Sequence, residues 1–567
     1  MDGIGPFFRG YAKRRINWSK IPFQQLHFEG DAAKEHWAQI RCDMTILADR
    51  AVALGFNAIT LDDVAHLSEH AWFEPEIRER NLQMREEFRG LLKILQSRGL
   101  QIFLTADFLV TSAAVDLRLA KKGLKERAIW FGEMAGEVLD AMPELAGVIL
   151  RIGESDGTDV EDPLRSRLVL RTAREVNGML RSVLPEFERR KRRLIFRTWT
   201  VGAYLIGDLI WHRGRLASAL RGIDSPAFVV SMKHGESDFF RYLPLNRHFF
   251  RIEQAKIIEL QARREYEGAG EWPSFIGWDC ERYARELEQA HNVIGLSVWC
   301  QTGGWHGFRR LAFLQSEAIW IELNASVAVR ILRDRDTVEN AVAAWAGESR
   351  AAGMLEFLRL ADEVVRRLVY IEEFARAKLF FRRVRIPPLL HCYWDSIFIN
   401  DAVRRVLGHF VTEPEAAIRE GEAAFANFAR MESLALELEL PVGDVEFMRD
   451  TCALILLARR YYFLPTTPEM EGELREAKKA YKRRWPRSLR PRYRIRIDLE
   501  QGRLNRRTFN WLLNLMIRRQ RGYRNFLDRM FTLTALSWIY RLFRARHEAA
   551  IPKFLRKTAM GIDSLLR

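Results

Sequence analysis

Cysteine is scarce in this 567-residue chain: Cys42, Cys280, Cys300, Cys392 and Cys452 form no CxxC pair and no metal-ligand spacing. An odd, scattered set of thiols argues against a disulfide framework and a zinc site, and reads as reduced cysteine. No run reaches 18 uninterrupted apolar residues, which argues against a membrane-spanning helix, and the opening MDGIGPFFRGYAKRRINW has no apolar segment ahead of a small-residue cleavage site. The expectation is a cytoplasmic protein. Internal repeats and low-complexity tracts are also missing, and no glycine-rich phosphate loop follows the first strand-like run, so a doubly wound dinucleotide-binding sheet lacks its usual fingerprint.

Apolar residues make up 48% of the chain, enough for more core than one domain usually holds, so a barrel plus a second unit is expected. The net charge of +16 is not spread evenly. Residues 481–567 hold 23 Lys and Arg against 5 Asp and Glu, which leaves the preceding 480 residues slightly negative. In this tail Arg alternates with periodic Leu, Phe, Trp and Met, the pattern of helices with one buried and one cationic face. Such a face is a solvated surface, a subunit contact forming a homodimer through the helical C-terminal region, or an attraction to an acidic glycan, an anionic membrane or nucleic acid. No helix-turn-helix or RNA-binding signature favours the last, and no nucleic acid partner is expected.

Eight β-rich runs alternate with helical patterns over the first 300 residues: PFQQLHF (22–28), NAITL (57–61), QIFLTADF (101–108), GVILRIG (147–153), RLIFRTW (193–199), AFVVSMK (227–233), KIIELQA (256–262) and NVIGLSVW (292–299). The helical patterns between them, such as REEFRGLLKILQSRG, end at glycine, a common stop before the next strand. Eight units predict an α/β fold, a (β/α)8 TIM barrel over 1–346, followed by an all-helical C-terminal domain over 347–567 in which Pro387 and Pro388 mark a connector.

In such a barrel the chemistry sits just past the strand ends. The fourth run leads into Glu154 and Asp156, the sixth into His234, Glu236 and Asp238, and the seventh into Glu265 and Glu267. Three loops thus bring carboxylates to one mouth, as glycosidic cleavage requires: one carboxylic acid protonates the leaving oxygen while another carboxylate activates water or attacks the anomeric carbon. Arg151, Arg197 and Lys233 lie at the same rim, and strand alternation lets each point inward. They either bind an anionic sugar or pair with neighbouring acids such as Glu259. Trp199, Tyr204, Trp272, Trp278, Trp299 and Trp305 crowd the strand ends, as platforms for sugar rings or as packing. Asp62, Asp63 and Asp107 are substrate contacts, or else caps and loop structure.

With those residues in view, the chain resembles the α-glucuronidases of glycoside hydrolase family 67 over about residues 10–346. The likeness rests on GFNAITLDDV, LRIGESDG, IFRTW, KHGESDFF, IIELQARREYEG and LNASVAVRILRDRDTVENAVAAWA, in that order and spacing. The resemblance implies an inverting hydrolase with an acid on the strand-four loop and a water-activating pair on the strand-six and strand-seven loops, here Asp238 and Glu265. The acid is Glu154 if the loop has shifted and Asp156 if the register holds, and the longer reach of glutamate favours Glu154. It further implies that Arg151, Arg197 and Lys233 hold a uronate carboxylate, with His234, Trp199, Trp299 and Asp62 among the substrate contacts. No metal or organic cofactor is implied. The expected reaction is exo-acting release of a glucuronic-type acid from an oligosaccharide. The rival readings are a glycosidase acting on a different glycan and a non-catalytic barrel that binds acidic glycans. The family's separate N-terminal domain is missing, and the loop CQTGGWHGF departs from its pattern.

Overall fold

The computed structural model describes residues 1–11, 21–152, 162–200, 206, 209–210, 214–301, 310–381, 384–501 and 505–519. Seven strands form one sheet in chain order: β1 (Ala58–Asp62), β2 (Gln101–Asp107), β3 (Leu145–Arg151), β4 (Arg193–Arg197), β5 (Phe228–Lys233), β6 (Lys256–Gln261) and β7 (Val293–Trp299). Every pairing is parallel. These are the second to eighth of the β-rich runs. Helices α1 (Asp31–Ala53), α2 (Pro75–Gln96), α3 (Leu124–Ala141), α4 (Ala173–Arg189), α5 (Gly277–Leu287) and α6 (Ile319–Asp334) are the main helices of this part. Helix α4 shows why they form. Thr172 accepts from the Glu175 amide while the Glu175 carboxylate accepts from the Thr172 amide, a reciprocal cap, and Val176, Met179, Leu180, Val183, Leu184 and Phe187 recur at helical spacing on the buried face.

Strand alternation divides the side chains into two populations. Outward residues such as Leu104, Val148, Leu150, Leu194, Phe196, Val230 and Met232 join the main core with the helices. Inward residues Phe103, Ile149, Ile195 and Val229, from four consecutive strands, touch one another in a cluster of their own. The sheet is therefore curled, with an apolar plug at the N-terminal end of its hollow face. Further along the same four strands, at the same parity, stand Asp107, Arg151, Arg197 and Lys233, so the hollow face turns polar where the strands end. Glycine is required once in this sheet: a Cβ at Gly147 would lie 2.0 Å from the Arg193 carbonyl oxygen.

Among the described residues, no eighth strand closes the curl. The expected first strand, 22–28, holds only a 3-10 turn at Phe23–Gln25, preceded by Pro22, with the Ile21 amide donating to the Asp62 carboxylate. Residues 1–3 occupy the place beside β1: the Thr60 amide donates to the Met1 carbonyl and the Gly3 amide to the Thr60 carbonyl. On the far side, the Asp2 carboxylate accepts from the amides of Cys300 and Gln301, just past β7. Asp2 thus touches both sheet edges, through a parallel backbone bridge to Thr60 of β1 and through its carboxylate just past β7.

The described residues after 347 are mainly helical but not wholly so. Helices α7 (Glu348–Glu363), α8 (Pro414–Glu437), α9 (Val442–Phe463) and α10 (Pro468–Arg484) are accompanied by two three-stranded sheets, one of Phe380–Phe381, Val384–Arg385 and Ile517–Arg518, the other of Cys392–Tyr393, Ser396–Asn400 and Arg494–Asp498. The segment around Pro387 and Pro388, which cannot continue a helix, supplies most of these strands. The apolar core continues unbroken from the curled sheet into these helices. Among the described residues, no helix is long and apolar enough to cross a membrane.

Candidate active site

Each of the three rim cations meets a carboxylate. On β3, Arg151 Nε donates to Asp107 Oδ1 of β2 at 2.6 Å, and Asp107 Oδ2 accepts from the Ser166 hydroxyl. On β4, Arg197 Nε lies 2.9 and 3.1 Å from the two Glu259 oxygens, reaching across β5 to β6. Glu259 also accepts from the Ser231 hydroxyl at 2.6 Å and from the Trp299 indole at 3.3 Å, while the Arg197 guanidinium lies 4.8 Å from the Trp299 ring centre. On β5, Lys233 Nζ donates to Asp238 Oδ1 at 2.5 Å and sits 3.7 Å from the Trp199 ring centre and 4.4 Å from that of Phe239. Of the two sequence readings of these cations, pairing with resident acids is realised at all three.

The two described candidate carboxylates have different surroundings. Asp238 is buried. Burial alone would push its carboxyl up, but the Lys233 charge and hydrogen bonds from Lys233, the Tyr266 hydroxyl at 2.7 Å and the Phe239 amide outweigh this and hold it below the usual range. Tyr266, buried beside the negative charges of Asp238 and Glu265, is pushed well above the normal phenol value and stays a donor. Glu265 is oriented by a reciprocal pair: the Gln261 amide group donates to Glu265 Oε1 at 3.1 Å, and the Glu265 backbone amide donates to Gln261 Oε1 at 2.9 Å. Gln261 is the last residue of β6, so the carboxylate is fixed to the sheet and not merely to its loop. Arg264, just before it, adopts φ +54°, a left-handed conformation that a side chain of this size adopts at a cost, and its guanidinium is tied to Glu267.

The C-terminal region completes this wall. The Tyr393 ring lies 5.1 Å and the Trp394 ring 6.3 Å from Tyr266, which also stacks on Phe240 at 4.1 Å. Asp238 and Glu265 both raise the Tyr393 phenol as well, so the two carboxylates share one aromatic neighbourhood. These contributions escaped the sequence reading because the connector carries no periodicity; the consecutive aromatics of HCYWD were the available signal. Glu259 was noted only as a partner for cations, and Gln261 and Tyr266 not at all.

Other expected site residues lie elsewhere. Glu154, Asp156, Tyr204 and Trp305 fall outside the described residues. His234 follows Lys233 and so faces the opposite way: it packs on Tyr283 of α5 and on Phe239, and burial lowers its pKa to about 4, leaving it neutral. The structure therefore does not bring it to the hollow face. Asp62 does face inward at the end of β1, where it anchors Ile21. Asp63 instead binds His66 Nδ1 at 2.7 Å, and His66 Nε2 lies 3.3 Å from Asp162, with the ring stacked on Phe23 at 3.8 Å. Burial pulls His66 down, but the two flanking carboxylates outweigh it and raise the ring to about 9. Its stabilising contribution is full below the unfolded value near 6.5 and is lost as pH rises through about 9, roughly 3 kcal/mol in all. The melting temperature is expected to fall between pH 7 and pH 10, and His66→Gln to start lower and flatten that decline; an equally steep decline in the variant would assign it to another group.

Among the described residues, no group of three His, Cys, Asp or Glu side chains could hold a metal ion. No family model and no curated protein matches the chain. Among solved structures it is similar to a family 138 glycoside hydrolase targeting pectin rhamnogalacturonan II, at 12% identity over 82% of this chain and 74% of that one, with a TM-score of 0.49. It is also similar to a mutant O-GlcNAc hydrolase of Thermobaculum terrenum, at 11% identity over 90% and 95% with a TM-score of 0.38. A third is a broad-specificity endoglucanase from an uncultured bacterium, at 11% identity over 50% and 84% with a TM-score of 0.32.

Proposed function

We propose that the chain is a glycoside hydrolase whose active centre is the hollow end of the curled sheet, with Glu265 as the base that directs water and Asp238 as its partner. The observation that carries this reading is the unequal treatment of two carboxylates around Tyr266. Asp238, neutralised by Lys233 and hydrogen-bonded by Tyr266, is a poor proton acceptor and a good fixed negative charge against a developing oxocarbenium ion. Glu265, aimed by Gln261 from the end of β6, is the base in this reading. The acid that protonates the leaving oxygen falls to the loop after β3, to Glu154 or Asp156. Trp199 and Trp299 at the strand ends supply rings on which a sugar's apolar face packs.

Within this reading the preferred substrate is an oligosaccharide ending in a uronic acid, cleaved from its end with inversion, as the resemblance to the family 67 α-glucuronidases implies. Inversion places acid and base roughly 6.5–9.5 Å apart so that water fits between them. Incubation with a panel of uronate-capped and neutral oligosaccharides, with the anomer released followed by proton NMR, tests both parts. Release of a uronic acid as the inverted anomer is expected. Cleavage of neutral members only would replace the substrate, and binding without cleavage across the panel would sink the hydrolase.

A further inference from the structure

Arg385 lies in the short strand Val384–Arg385, paired antiparallel with Phe380–Phe381. Only 3% of the residue is exposed, and its Nε and Nη1 are enclosed with no hydrogen-bond partner. Burial lowers its pKa to about 10, with no neighbouring carboxylate among the described residues to oppose that. Arg459 shows how the same chain treats another buried guanidinium: its two Nη atoms donate to the carbonyls of Arg367, Ala417, Leu368 and Tyr370. A desolvated charge left without such partners is costly, and a fold that keeps one has a use for it that its own atoms do not satisfy.

Its place narrows that use. The Arg385 guanidinium lies 5.4 Å from the Phe380 ring centre, and Phe380 packs with Trp199 and Ile210 in a small cluster separate from the main core. Trp199 in turn carries Lys233 on its ring. Lys233, Trp199, Phe380 and Arg385 are thus joined by successive contacts from the candidate active site to the C-terminal region. A substrate carboxylate arriving at Arg151, Arg197 or Lys233 competes with Asp107, Glu259 or Asp238. At Arg385 it meets no resident acid among the described residues.

We propose that Arg385 receives the carboxylate of an acidic sugar, so that acid recognition lies at this buried arginine of the C-terminal region and not at the three paired cations on the strands. The assignment rests on the hydrolase reading of the same site. Calorimetric titration of the full chain with glucuronate, glucose and acetate tests it. Glucuronate is expected to bind the unaltered chain, about 10–100-fold more weakly to Arg385→Met, and with intermediate affinity to Arg385→Lys, while any affinity for glucose stays unchanged. The ligand-free melting temperature of Arg385→Met is expected to rise, since a buried unpaired charge is removed, which separates this loss from misfolding. Equal glucuronate binding by the unaltered chain and Arg385→Met, or none by the unaltered chain, overturns the proposal. Acetate binding as tightly as glucuronate overturns the sugar assignment. Arg385-dependent binding by a chain that cleaves no glycoside would instead sink the hydrolase and keep this site.

Discussion

Glu265→Gln is expected to lower kcat by about 10³-fold, the order lost when a positioned base is removed, with little change in KM or in melting temperature. The expected silence in stability follows from geometry. Glutamine is the same size, its side-chain oxygen can still accept from the Gln261 amide, and the Glu265 backbone amide keeps its own bond to Gln261. Steady-state kinetics on whichever glycoside the panel identifies, with a thermal melt of the same preparation, measures both quantities. Activity within a few-fold of the unaltered chain would remove Glu265 from the chemistry and leave Asp238 as the other described member of the expected catalytic set.

Asp238→Asn is expected to act on two fronts. Loss of the fixed charge lowers turnover by about 10²–10⁴-fold, and loss of the partner leaves Lys233 charged between Trp199 and Phe239, at a cost of about 3–5 kcal/mol. The double substitution Asp238→Asn with Lys233→Met removes the stranded charge, so stability recovers while turnover does not. If turnover recovers with stability, Asp238 serves only to neutralise Lys233. The direction of pH dependence follows from the depressed carboxyl. The stabilisation from this pair is complete above the ordinary aspartate value near 3.8 and is lost only as pH falls through the lower folded-state value.

All seven strands of the sheet were legible in the sequence because their apolar runs are short, bounded by glycine or charge, and spaced by helical patterns. The first of the eight expected strands does not form. PFQQLHF has strand composition, yet Pro22 and the pull of Asp62 on the Ile21 amide turn it into a 3-10 bend, and MDG, too short to carry any periodicity, lies beside β1 instead. The inward parity of Arg151, Arg197 and Lys233 was likewise readable, since it follows from alternation alone. Pairing with acids such as Glu259 was among the readings, but which cation Glu259 takes was not legible, because it reaches Arg197 across an intervening strand and only the curl brings them together. His234 shows the same rule in the other direction: one position past Lys233, it belongs to the opposite face.

The ring pair Tyr393 and Trp394 comes from a segment more than a hundred residues beyond Tyr266, against which it rests. A shortened gene product ending after α6 would therefore be an unfinished vessel, its polar floor intact but one side missing. Anyone grafting the floor onto another scaffold, or trimming the protein to a minimal catalyst, has to carry the distant aromatic wall along with it.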